Sequence, residues 1–247
     1  MSGAQLEDVD HDALRAYMLR RVPSLVDKVP DEQLAVSLGL MARQGNRTAP
    51  TGLGVLAFGH LPQMLRPEWG VAALRISGAD LSCPITEKLD IEGNIVALFE
   101  QTIAFVKKHT AEATSLDGAE GGEFAEVAVR EAVINALVHR DYRLTARVSV
   151  RIFDDRLEVW SPGGPLGQFD FLQLLERGGI SFPRNPTLAS LARTLGLIDQ
   201  VGRGLPLIRG AAEDLGAPAP RVEVSNGDFL VVMPSRLDVV SADPHAN

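Results

Sequence analysis

Apolar positions dominate the stretch VREAVINALVHRDYR, Val129 to Arg143, but polar residues interrupt them in a regular way. Val129, Val133 and Leu137 fall on one helical stripe, a spacing suited to packing on a sheet. Glu131, Asn135 and His139 fall on another, at i, i+4 and i+8, with Arg130 and Asp141 as further polar positions. The pattern predicts a helix apolar enough to be buried that still carries a carboxylate, an amide and an imidazole on one line.

Periodicity places the other elements. Upstream, DHDALRAYMLRRV and DEQLAVSLGLMARQG read as two short amphipathic helices, with Asp10 and Asp31 as N-caps. TGLGVLAFGHLPQML is a third apolar segment, and GVAALRISG reads as a strand. EGNIVALFEQTIAFVKKH has Ile95, Leu98, Phe99, Thr102, Ile103 and Val106 at helical spacing. Downstream, RVSVRIF alternates Val148, Val150 and Ile152 against Arg147, Ser149 and Arg151, as a half-buried strand does. DDR turns into a second strand, LEVWS. DFLQLLERG, NPTLASLARTLGLI and GLPLIRGAAEDLG read as helices, and RVEVS and FLVVMP form a terminal hairpin around NGD.

Between the halves, KKHTAEATSLDGAEGGEF is polar, rich in Gly and poor in large apolar residues. The expected organisation is a mostly helical N-terminal region with one or two strands over 1–108 and a linker over 109–123. A second domain is expected over 124–235, then a disordered tail over 236–247. The expected class is α+β, a sheet with helices on one face.

Composition narrows the function. The 247 residues are 45% hydrophobic and carry a net charge of -8, a balance that does not favour non-specific nucleic-acid binding but leaves room for a local basic face. A single cysteine, Cys83, rules out an intrachain disulfide and fits a reducing cytoplasm. The opening MSGAQLEDVDHDAL is acidic and polar, unlike a signal peptide, and no apolar run approaches the roughly 20 residues that span a membrane. No Lys precedes Ser or Thr, so there is no P-loop and no sign of a helicase motor. HRD at His139 to Asp141 lacks the Asn a protein kinase needs five residues on; Ala146 stands there. Five scattered His and one Cys give no zinc spacing.

The polar stripe carries chemistry if it faces a cleft. An Asn amide oxygen can ligate Mg²⁺, which prefers oxygen donors, and a Glu one turn earlier can hold or activate water. The alternative is an exposed polar face with a capping His. Two later segments bear on the choice. EVWSPGGP puts Gly163 and Gly164 straight after a strand, and VGRGLPLIRG puts Gly202 and Gly204 at the mouth of a helix. Such turns offer backbone N–H groups and a dipole end to phosphate. Arg184, in RNP, is either a phosphate-binding arginine or part of a helix start with Asn185 as N-cap and Pro186 at the first position.

The order of these segments resembles the GHKL ATPase fold of histidine-kinase catalytic domains, type II topoisomerases and Hsp90. Glu131 and Asn135 match its N box, SPGG falls at the first glycine box, and GRGLPLI looks like the second. REAVINALVHRDYR, VRIFDDRLEVWSPGG, RNPTLASLARTLGLIDQVGRGLPLI and FLVVMP are more closely similar to the C-terminal domain of RecG-like transcriptional regulators. GLGVLAFG and LDIEGNIVALFEQTIAFV resemble the region before that domain, so the likeness runs from about Asp10 to Pro234.

The resemblance implies a Bergerat-type two-layer α/β sandwich that binds ATP with Mg²⁺. It implies Asn135 as metal ligand and Glu131 as the base of any slow hydrolysis. His139, Ser161, Gly163, Gly164, Arg184, Gly202, Arg203 and Gly204 would join Asn135 in holding nucleotide. It also implies a regulator that pairs with itself, or reaches DNA through its N-terminal helices or a missing partner domain. The chain departs from the family at Ser161, where relatives have Asn or Asp to read adenine, and at Pro206, where many have Gly. The Schlafen AlbA-like domain that usually opens these proteins is not in the sequence. A second reading is therefore a DNA-binding or protein-interaction regulator whose nucleotide pocket is degenerate.

Overall fold

The computed structural model describes residues 3–110, 123–164, 183–198, 204–225 and 227–237. Helix α1 (His11–Arg21) starts as predicted, with the Asp10 carboxylate accepting from the Ala13 N–H at 2.9 Å. Helix α2 (Asp31–Ser37) does not. Pro30 takes the N-cap position, and the Asp31 carboxylate is turned to Arg15 of α1, which also holds Asp27 at 2.5 Å. The helix predicted through Gln44 stops near Gly39, whose φ of +73° a side chain would strain. The chain then forms a hairpin, β1 (Met41–Gln44) paired antiparallel with β2 (Arg47–Pro50). Helix α3 (Gly52–Phe58) is capped by the Thr51 hydroxyl, which accepts from the Gly54 N–H.

Strands β3 (Val71–Ile76) and β4 (Ile85–Ile91) pair antiparallel. β4 escapes the apolar pattern because it is an edge strand with most of its residues exposed. The segment before 109 thus holds four strands, not one or two. Helix α4 (Ile95–Thr110) buries Ile95, Leu98, Phe99, Thr102, Ile103 and Val106, as its spacing predicts.

Beyond residue 123 come α5 (Glu126–His139), β5 (Val148–Ile152), β6 (Arg156–Pro162), α6 (Pro186–Thr194), α7 (Gly204–Asp214) and the hairpin β7 (Arg221–Ser225) with β8 (Asp228–Pro234). The helix predicted over DFLQLLERG lies outside the described residues, as does the tail from residue 238.

The large sheet runs β4-β3-β5-β6-β8-β7. Its parallel pair, β3 with β5, puts Val71 opposite Val148 and Ala73 opposite Val150. All four of these side chains are fully buried. Sheet and core therefore draw on chain from both sides of 109–123. Helices α4 and α5 lie on one face of the sheet and α7 packs against α5. The result is the expected α+β class, a mixed six-stranded sheet in a two-layer α/β sandwich. Among the described residues no helix is long and apolar enough to cross a membrane.

Candidate functional site

Helix α5 buries most of its apolar side chains. From residue 131 to residue 139, Ala132, Val133, Ile134, Ala136, Leu137 and Val138 are all buried, and only Glu131, Asn135 and His139 are half-exposed. Burying the large apolar side chains is worth about 1.5–3 kcal/mol each, which fixes the helix rotation and so aims the polar stripe. The stripe spans about 12 Å, eight residues at 1.5 Å rise.

At its N-terminal end, Asn135 Nδ2 donates to Glu131 Oε1 at 3.0 Å. The start of α7 lands on this pair. A β-carbon added at Gly204 would lie 3.1 Å from Asn135 Nδ2 and 3.3 Å from Glu131 Oε1. Residues 69 and 73 positions apart in sequence thus meet at one point, and only a residue without a side chain fits there without displacing them. Gly202 and Arg203 lie outside the described residues.

At the C-terminal end, His139 is half-buried. Burial, and then the positive charge of Arg184, push its pKa below the ordinary imidazole value, so the ring is neutral at pH 7. Ser161 on β6 is buried and gives its hydroxyl hydrogen to the Ala136 carbonyl at 3.1 Å. Gly163 has φ of +101°, and a β-carbon there would strike Asp141 Cβ at 2.7 Å. The Asp141 N–H donates to the Pro162 carbonyl at 2.7 Å, tying the helix end to the glycine turn.

Asp141 anchors this junction. Its carboxylate accepts from Arg143 Nε and Nη2 at 2.9 and 2.7 Å and from Arg184 Nη1 at 3.2 Å. Hydrogen bonds from Arg143, with the charges of both arginines, hold the carboxyl well below the usual carboxylate range. Arg184 also donates to the Gly164 carbonyl at 2.6 Å. It therefore clamps the glycine turn to α5 and joins Ser161, Gly163 and Gly164 at this end of the stripe.

Three residues have roles that the spacing alone did not disclose. Asn185 sits at the N-cap position of α6 with Pro186 first in the helix, but its side chain caps nothing. Its amide donates instead to the Val138 and Arg140 carbonyls, at 2.8 and 2.9 Å, closing the open end of α5. Arg140 is fully buried and donates to the carbonyls of Glu68, Leu144 and Ala146. Asp141 serves arginines rather than His139. The one sequence signal was density, four polar residues within HRDYR at the end of an apolar helix.

Residues 145–233 match the family model described as "Putative ATP-dependent DNA helicase recG C-terminal". That match supports an ATPase-type domain in the C-terminal part. No curated protein matches the chain. Among solved structures, the DIP2311 protein from Corynebacterium diphtheriae matches with a TM-score of 0.67 and 22% sequence identity over 98% of this chain. This chain spans only 42% of that one. At such an identity the likeness shows a shared fold.

Proposed function

We propose that the chain is an ATP-binding regulatory module of the RecG-like regulator type, with nucleotide held between the Glu131–Asn135 stripe and the mouth of α7. The observation that carries this reading is the meeting of Gly204 with Asn135 and Glu131. A helix N-terminus beside a carboxylate–amide pair offers N–H donors for phosphate and oxygens for a hard cation.

The donor set fits Mg²⁺. Asn135 uses its Nδ2 on Glu131, which leaves its amide oxygen for metal. Among the described residues no group of three His, Cys, Asp or Glu could hold a metal alone. A cation here relies on phosphate oxygens and water for the rest of its shell, as Mg²⁺ commonly does. Glu131 accepts from Asn135 and stands where it can orient a water, the role expected of it in slow hydrolysis. Calorimetric titration with Mg·ATP tests the reading. One site per chain supports it, and no heat or displacement up to about 5 mM, near the weak limit of specific binding, overturns it.

A second reading has its own observation. At the base end, the Ser161 hydroxyl is engaged by Ala136 and the Gly164 carbonyl by Arg184. Polar groups committed inside the fold are poor readers of a purine edge. This favours a degenerate pocket in a regulator that acts through partners, and predicts weak discrimination of ATP from GTP in the same titration.

A further inference from the structure

A cavity of about 400 Å³ opens beside this junction, between α3, the start of α6 and the chain after α5. Its walls include Leu53, Leu56, Leu188, Trp69, Tyr142 and Arg184. The volume lies in the range of small-molecule sites. The Trp69 and Tyr142 rings meet edge to face, with centroids 5.4 Å apart and planes at 85°. Both rings line the cavity at this corner. Trp69 is further fixed by donating its indole N–H to the Tyr142 carbonyl at 3.4 Å.

The charge around this cavity runs against the charge of the chain. None of its described lining residues is acidic, although the chain carries -8 overall. Arg184 and Arg143 share one carboxylate, Asp141, which leaves that cluster one positive charge in excess. Arg184 Nε is buried and has no hydrogen-bond partner. Behind the Tyr142 ring, 4.8 Å from its centroid, stands the buried guanidinium of Arg140, whose hydrogen bonds go only to carbonyls. Glu68 and Asp141 act on Arg140 through their charges, and Glu68 also faces Arg66 at 3.9 Å, so four arginines share two carboxylates here. An apolar, aromatic corner with a net excess of positive charge at its rim suits a body and a head of different character.

We infer that this cavity binds a small aromatic monocarboxylate, its ring in the Trp69–Tyr142 corner and its carboxylate on Arg184. Binding needs no nucleotide, so it stands or falls separately from the ATP reading.

The chain has two tryptophans, Trp69 and Trp160, so its amide spectrum shows two indole N–H signals. Phenylacetate is the probe, and phenylacetamide is its neutral match. Phenylacetate should shift the Trp69 indole signal saturably and leave that of Trp160 in place. Phenylacetamide should bind at least about tenfold more weakly, because it offers the guanidinium no charge.

Thr187→Glu supplies a variant that should still fold. Thr187 lines the cavity at the exposed start of α6, where an acid favours the helix. It should weaken phenylacetate about tenfold or more, while Thr187→Gln stays within about threefold. No saturable Trp69 shift up to about 20 mM, a generous limit for so small a ligand, would overturn the inference. So would equal binding of acid and amide, or equal binding by Thr187→Glu and Thr187→Gln.

Discussion

Ser161 gives its hydroxyl hydrogen to the carbonyl of Ala136, 3.1 Å away across the gap between β6 and α5. The resemblance to GHKL ATPases would put an adenine-reading side chain at this position, but the Ser161 hydrogen bond points into the protein. Ser161→Ala should therefore cost about 1 kcal/mol of stability, the worth of one hydrogen bond, and leave nucleotide affinity within about twofold. Ser161→Asp should destabilise by about 3 kcal/mol, since it buries a carboxylate against a carbonyl, and should not tighten ATP. Denaturant melts and ATP titrations of both variants check this. Tighter ATP binding by a stable Ser161→Asp protein would show the base end to be open.

Asn185 separates two kinds of helix contact. As an N-cap it would be replaceable by Asp, which caps as well as Asn. As a donor to the Val138 and Arg140 carbonyls it is not, because a carboxylate has nothing to donate. Asn185→Asp should lose more stability than Asn185→Ala, by about 1 kcal/mol or more. Equal thermal stability of Asp and Asn at this position would restore the capping role.

Asp141 makes the junction pH-dependent. Its folded pKa is depressed, so its contribution is fully present above the unfolded value, near 4, and is lost as pH falls through the lower folded value. Arg143 is mostly exposed, so solvent screens the pair it forms and its contribution is small. Asp141→Asn should lower Tm at neutral pH, and the gap to wild type should narrow below about pH 4. A gap equally wide at about pH 6 and about pH 2.5 would mean that the arginine pairs are not its source.

The polar stripe was legible because α5 is regular. Spacing alone put Glu131, Asn135 and His139 on one line, and they are the half-exposed positions between residues 131 and 139. The terminal hairpin and the Asp10 cap were legible for the same local reasons. What escaped was non-local or lay at an edge. β4 has no buried face to impose alternation, and the run through Leu38 and Met41 looks helical until Gly39 turns it into a hairpin. Parallel pairing of β3 with β5 joins segments more than 70 residues apart and leaves no mark in either. Trp69, Tyr142 and Leu188 come from three separate segments, and only the folded chain makes them one wall.

The Mg²⁺ dependence of ATP binding tests the central claim most directly. Dissociation constants would be measured with and without Mg²⁺ for the wild type and for Asn135→Ala, with Glu131→Gln as a second variant. The wild type should bind ATP at least about tenfold more tightly with Mg²⁺, and Asn135→Ala should lose that gain while keeping its affinity for the free nucleotide. Glu131→Gln should bind Mg·ATP and lose any turnover, by about 100-fold or more, because a general base acts in the transition state. ATP binding that ignores Mg²⁺, or a Mg²⁺ gain undiminished in Asn135→Ala, would contradict the assignment of Asn135 as the metal ligand.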